Sequence, residues 1–138
     1  MKILVPIDGS ETSLRAVHYI AKAFPRAETE VHLINVQAPL PSAVSDFVGV
    51  AERSAYHQEE GERSLADARR TLKEAGIAHH AHLVVGGVAE TIVDHAASLG
   101  CDQIVIGSRG LSPLPNLLLG STTTRVLHLA EVPVTVVK

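Results

Sequence analysis

Five short runs of apolar, largely β-branched residues alternate along the chain with longer stretches of helical periodicity. The runs lie at residues 2–7, 30–36, 77–85, 103–106 and 132–137. The first and fourth are almost wholly apolar, which is typical of strands covered on both faces. Residues 77–85 alternate apolar and polar positions, which predicts an edge strand. Because Pro133 cannot donate to a ladder, the last run is predicted to lie at an edge or to begin at the proline.

The stretches between these runs predict four helices. Ser10 can cap the first, in which Leu14, Val17 and Ile20 fall on one face. The second spans about residues 51–75, the third runs from Gly86–Gly87 to Gly100, and the fourth covers residues 121–130. Residues 37–53 make a connection longer than most loops, which predicts either a functional lid or a partly helical segment.

The element order β-α-β-α-β-α-β-α-β predicts an α/β fold. Such alternation is typical of an open parallel five-stranded sheet with helices on both faces, joined by right-handed crossovers. The 138 residues, with a mass of 14.6 kDa, fit one ordinary domain spanning residues 1–138.

Composition narrows the classes of function. The formal charge of −3 and an aromatic content of 3% without Trp disfavour nucleic-acid binding, which needs a basic surface and stacking platforms. The single cysteine, Cys101, excludes an internal disulfide and a Cys-rich zinc module, and it is interpreted as a small core residue. The apolar run before Asp8, residues 3–7, is too short for a signal peptide's apolar region. No apolar run reaches the ~18 residues of a membrane span. We therefore expect a cytoplasmic protein without membrane insertion.

Candidate chemistry follows the two most apolar strands. In open parallel sheets, ligands bind beyond the carboxyl ends of the strands, where the strand order reverses. Asp8 follows the first strand, and the turn Gly107-Ser108-Arg109-Gly110 follows the fourth. If these strands are neighbours, a carboxylate and a glycine-rich turn face each other across one crevice.

The segment from Gly107 onward is a candidate phosphate-binding loop. Gly107, Gly110 and Gly120 permit close approach of backbone amides to a ligand. Ser121 and Thr122 then open a helix, whose first amides and dipole favour an anion. A Walker motif is excluded because no Lys precedes Ser121. The alternative is that the glycines only punctuate turns and Ser121 is an ordinary helix start.

The spacing Gly107-x2-Gly110-x9-Gly120-Ser121 resembles the nucleotide-binding signature of the universal stress protein family. The opening KILVPIDGS, the segment VGGVAETIVDHA and the ending VPVTVV are also similar to that family's landmarks. The resemblance covers essentially the whole chain. It implies the strand order 3-2-1-4-5, ATP bound in the crevice, and a homodimer joined through the terminal strand, residues 132–137.

The resemblance also implies a role for each matching position. Pro6, Ile7 and Val36 would border the adenine, with Val36 offering backbone hydrogen bonds. Asp8 would contact the ribose or a phosphate-bound Mg²⁺, which needs only one carboxylate besides phosphate oxygens and waters. The sugar and phosphates would be held by Gly107, Arg109, Gly110, Gly120, Ser121 and Thr122.

One departure from the family concerns the nine residues between Gly110 and Gly120. Pro113 and Pro115 stand where family members often carry Gly or a polar residue. Each proline removes a backbone donor and stiffens the loop, so the pair either narrows the phosphate pocket or presets its shape.

The histidines suggest a metal site less strongly. His80 and His82 share one face of a predicted strand while His79 points to the other. Two ligands on an edge strand, without an acidic or Cys partner nearby in sequence, make a poor metal site.

Three functions remain for this sequence. The first is a nucleotide-dependent regulatory module in a stress response, read by a partner protein or by the dimer. The second is a slow ATP hydrolase, disfavoured because Arg109 is the one cation close to the motif and no general base stands out. The third is a dimeric scaffold that binds no nucleotide.

Overall fold

The computed structural model describes residues 1–111, 116 and 118–138. Pro113 and Pro115, and with them the question of whether they narrow or preset the phosphate pocket, lie outside the described residues. Among the described residues, no helix is long and apolar enough to cross a membrane.

Five parallel strands form one sheet in the order β3-β2-β1-β4-β5. Their bounds are β1 Lys2–Pro6, β2 Glu30–Gln37, β3 Ala78–Val85, β4 Gln103–Gly107 and β5 Val134–Val137. The predicted order, and the placing of the third and fifth strands at the edges, are confirmed. The order reverses between β1 and β4, so a crevice opens between their carboxyl ends.

Helices cover both faces of the sheet, as predicted. They are α1 Glu11–Ala23, the short α2 Ser42–Ser45, α3 Val50–Ala75, α4 Val88–Ser98 and α5 Ser121–Leu129, with a 3₁₀ turn at Arg26–Glu28. One apolar core, around Ile3, Val5 and Leu33, packs against α1 and α3. A second core, around Leu4 and Ile34, packs against α4 and α5 on the opposite face.

Local chemistry sets the element ends. The Ser10 side chain accepts a hydrogen bond from the Ser13 amide at 3.2 Å and so caps α1. Gly76 ends α3 at φ +69°, a left-handed conformation that favours glycine. Residues 37–53 are partly helical, since they contain α2 and the start of α3.

Three strands are shorter than predicted, and β3 loses only Ile77. β1 ends at Pro6 because the Ile7 carbonyl accepts from the buried Asn35 side chain at 2.8 Å, whereas the Ile7 amide still reaches the Ile34 carbonyl. β5 begins at Val134 because Pro133 contributes only its carbonyl, which accepts from the Ile104 amide at 2.9 Å.

Candidate functional site

A cavity of about 280 Å³ occupies the crevice at the strand-order reversal. The structure brings all ten predicted site residues to its wall: Pro6, Ile7, Asp8, Val36, Gly107, Arg109, Gly110, Gly120, Ser121 and Thr122. They come from the ends of β1, β2 and β4 and from the start of α5. The segments are far apart in the chain and adjacent only in the fold.

Asp8 stands opposite the glycine-rich turn, as the sequence predicted. Its Oδ1 accepts from the Ser10 amide at 2.9 Å, which fixes the half-buried carboxylate at the start of α1. Its Oδ2 faces Gly110, where an added Cβ would overlap that oxygen. Glycine at position 110 is therefore what lets the carboxylate reach across the crevice.

The glycine at 107 serves the protein's own packing. A Cβ there would lie 2.9 Å from the backbone carbon of Thr12 and 3.0 Å from the Ser13 nitrogen. Packing alone therefore requires glycine here, and the role of Gly107 toward a ligand, whose cavity it lines, stays a prediction. The residue lets the first turn of α1 pack on the end of β4.

The amide of Gly120 is likewise engaged within the chain. It donates to the Ser108 carbonyl at 2.7 Å, so the expectation that this amide points at a ligand is wrong. The next three amides, of Ser121, Thr122 and Thr123, precede the first intrahelical bond of α5, from the Thr124 amide to the Gly120 carbonyl. Among the described residues no side chain caps this helix. Of the two anion-binding features that the sequence predicted, the glycine amides and the start of this helix, the second is the one whose geometry favours an anion here.

Backbone groups of Val36 also face the crevice. The Ile34 carbonyl bonds to the Ile7 amide on the β1 side, and the Gln37 carbonyl bonds to Gly86 on the β3 side. Because backbone groups alternate sides along a strand, those of Val36 point to the β1 side, past the end of β1. The edge of a planar ring placed there can accept a hydrogen bond from the Val36 amide and donate one to the Val36 carbonyl.

Two buried polar residues that shape the crevice escaped the sequence analysis. Asn35 holds the Ile7 carbonyl, as described above. The Thr123 hydroxyl donates to the Gly107 carbonyl at 2.8 Å and ties the start of α5 to the end of β4. The run of hydroxyl residues after Gly120 was the available signal for Thr123. The apolar wall is completed by Ile34, Val88, Ile92 and Ile106.

Positive charge gathers at one end of the crevice. Arg109 is exposed and lines both the cavity and a second groove, which Arg15 and Lys138 also line. On the other side, Glu90 pairs with Arg125 across α4 and α5. Hydrogen bonds from its own backbone amide and from Arg125 lower the pKa of the Glu90 carboxyl.

A second polar cluster lies on β2 and β3, away from the crevice. Parallel pairing sets His32 beside His80 and Ile34 beside His82, and Glu30 is within 2.8 Å of His32 Nε2. The sequence offers His80 no acidic residue nearby, but the adjacent strand β2 places Glu30 beside it. Burial, followed by the neighbouring imidazoles, lowers the pKa of His82.

The universal stress protein family model matches residues 1–138. The chain belongs to that family. A curated relative, universal stress protein MJ0531 of Methanocaldococcus jannaschii, is 34% identical over 143 residues, covering 99% of this chain and 81% of the relative.

Solved structures agree with this assignment. The structure of protein MJ0577 superposes with a TM-score of 0.87 at 33% identity and covers 99% of this chain and 94% of that one. The universal stress protein of Archaeoglobus fulgidus in complex with dAMP shares the fold, with a TM-score of 0.75 at 23% identity, over 100% of this chain and 98% of that one.

Proposed function

We propose that the crevice binds an adenine nucleotide, ATP with Mg²⁺, and that this cytoplasmic chain is a homodimeric regulatory module of a stress response. The observation that carries the proposal is the convergence of ten predicted residues, from four separated segments, on one cavity. The binding of dAMP by a relative of the same fold supports the ligand class.

Each part of the nucleotide contacts a different set of crevice residues. The adenine lies against Pro6, Ile7 and the Val36 backbone. The ribose or a phosphate-bound Mg²⁺ meets the Asp8 carboxylate, whose Oδ2 faces the crevice. Mg²⁺ suits this place because it keeps most of its waters and takes few protein ligands.

The phosphates lie at the start of α5. The amides and hydroxyls of Ser121 and Thr122 offer donors, and the helix dipole favours negative charge there. Arg109, with Arg15 and Lys138 in the adjoining groove, provides positive charge for a chain of phosphates longer than that of AMP.

Calorimetric titration with Mg-ATP of wild type and of Asp8→Asn tests this proposal. Asparagine keeps an acceptor for the Ser10 amide but removes the charge, so we expect about tenfold weaker binding, the size of one lost charged contact. The thermal midpoint of the free variant should stay at the wild-type value. Equal ATP affinity in both proteins would refute the site. Hydrolysis faster than about 1 s⁻¹ would favour an enzyme instead.

Dimerisation through the terminal strand is the second part of the proposal. The Pro133 carbonyl accepts from Ile104 of β4 and the Val137 carbonyl from Ser108, directly after β4. By alternation the backbone of Val134 and Val136 therefore faces the open edge of the sheet. Val136→Pro removes one outward amide without touching the β4–β5 ladder. In sedimentation, wild type should run as a dimer and Val136→Pro as a monomer; a dimer in both, or a monomer in both, would contradict the interface.

Regulation follows if the dimer or a partner protein reads nucleotide occupancy. Bound nucleotide contacts the turn at 107–110 and the start of α5, so any partner that touches these segments distinguishes the two states. The partner protein is to be identified by its differential binding to the ATP-loaded and nucleotide-free chain.

A further inference from the structure

Three metal-ligating side chains from two strands meet on the α4 face of the sheet. Glu30 and His32 lie on β2, and His80 lies on β3 directly beside His32. Glu30 Oε1 is 2.8 Å from His32 Nε2 and 3.6 Å from His80 Nε2. One ligand atom of each residue falls within 4.8 Å of the other two. We propose that Glu30, His32 and His80 bind a divalent transition-metal ion of the Zn²⁺ class, bridging β2 to the edge strand β3.

The spacing suits such an ion. Zinc binds imidazole nitrogen and carboxylate oxygen at about 2.0–2.2 Å, so the ligand atoms of a tetrahedral centre lie about 3.3 Å apart. The two distances from Glu30 bracket that value. His80 has 60% of its side chain exposed, so its ring is free to swing the remaining distance, whereas buried His32 supplies a fixed ligand.

The ligand set also suits this class of ion. Two imidazoles and one carboxylate match zinc, cobalt, nickel and copper better than the hard cations Mg²⁺ and Ca²⁺, which prefer all-oxygen sites. Three protein ligands at the surface leave the remaining coordination positions to water. The Lys2 ammonium, from the strand position paired with Glu30, donates to the Leu99 carbonyl at 3.0 Å.

His82 completes the arrangement behind His32. Its Nε2 lies 2.9 Å from His32 Nδ1. When a metal takes the lone pair of His32 Nε2, the ring proton sits on Nδ1 and donates to His82. Metal-bound histidines are commonly held this way by an acceptor on the second nitrogen, which fixes the tautomer and the ring plane. His82 is thus a positioning residue and contributes no ligand.

This site is separate from the nucleotide crevice. Glu30 opens β2 and Val36 is near its end, six residues on, so the two lie about 20 Å apart at the rise of an extended strand. The proposal therefore stands whether or not the crevice binds ATP.

Zinc titration of the full-length chain, with any histidine tag removed and metal stripped by chelator, tests the proposal. Calorimetry with ZnCl₂ should show one ion per chain. His80→Ala and Glu30→Gln should each weaken zinc binding by about tenfold or more, the effect of losing a ligand or its support. His82→Ala should weaken it by a smaller factor. Zinc should also raise the thermal midpoint of wild type, because the native state alone has the assembled site.

His79→Ala is the matched control, because His79 lies on the same strand with its side chain on the opposite face of the sheet. It should bind zinc as wild type does. Wild-type affinity in both His80→Ala and Glu30→Gln, or an equal loss in His79→Ala, would overturn the site. We expect these variants to stay folded because His80 is exposed and Glu30 is only half-buried, and their thermal midpoints without metal verify this.

Discussion

The proposed nucleotide-binding crevice and the Glu30–His32–His80 cluster occupy opposite ends of β2 and are assembled differently. The crevice is made of turns, a helix start and backbone groups, and each segment carries a local sequence signature such as DGS or GSTT. The cluster is made of side chains whose proximity depends on the register between β2 and β3. Motifs in the sequence therefore predict the first and miss the second.

The largest expected effect comes from a substitution that abolishes binding in the crevice and leaves the Glu30–His32–His80 cluster unchanged. Gly120 sits at φ −71° with its Cβ position 3.4 Å from the Arg109 Cα, so the branched methyls of Gly120→Val have no room beside the turn. We expect no detectable Mg-ATP binding by calorimetry and unchanged zinc affinity.

Gly49→Val is its matched control. Gly49 also precedes a helix, at φ −64°, and a Cβ there would lie 3.8 Å from Glu52 Oε2. This variant should bind ATP normally, whereas a comparable loss would mean that valine before any helix harms the fold.

The second prediction tests whether ATP binding and zinc binding are independent of each other. Asp8→Asn should weaken ATP binding by about tenfold and leave zinc binding intact, and His80→Ala should do the reverse. In the double variant the loss of ATP affinity should match that of Asp8→Asn and the loss of zinc affinity that of His80→Ala, each within about 0.5 kcal/mol, because distant sites without shared partners do not couple. A larger deviation would show that a change at one site alters the affinity of the other through β2.

A third prediction concerns the frame of the crevice. Thr123→Val leaves the Gly107 carbonyl without its buried donor, which should lower the free energy of unfolding by about 1–2 kcal/mol in urea titrations. Thr124→Val, one residue further along, removes an exposed hydroxyl bonded to the Gly120 carbonyl and should cost less than about 0.5 kcal/mol. Equal losses of unfolding free energy would mean that the hydrogen bond to the Gly107 carbonyl stabilises the fold no more than the exposed one to Gly120.

The smallest expected effect tests whether Cys101 competes as a zinc ligand. Cys101 is 5% exposed, and burial raises the pKa of its thiol. The folded protein should resist iodoacetamide at pH 8, because the thiolate is the reacting form. Cys101→Ala should leave the zinc affinity at the wild-type value, and a drop would place the thiol in the metal site.

Local sequence accounts for most of the fold. The alternation of apolar runs with helical stripes predicts the parallel sheet, and Ser10 and Gly76 mark helix ends through hydrogen bonding and backbone conformation that depend on few neighbours. The resemblance to the universal stress proteins supplied the strand order. Element ends were less predictable: β1 stops at Pro6 because Asn35, from another strand, takes the Ile7 carbonyl.

The sequence by itself, through its turn signals and its family resemblance, determined which residues line the crevice, since each lies at the end of a strand, in the turn after it or at a helix start. Only the tertiary structure decided what they do there. Gly107 meets the backbone of α1, and the Gly120 amide is bonded to Ser108, so the amides left without a partner among the described residues are those at the start of α5. The same holds for Glu30 and His80, which are 50 residues apart in the chain and meet because β2 and β3 pair in one register. Side chains on two strands become neighbours only when the strands pair, so a motif within either strand does not reveal the contact.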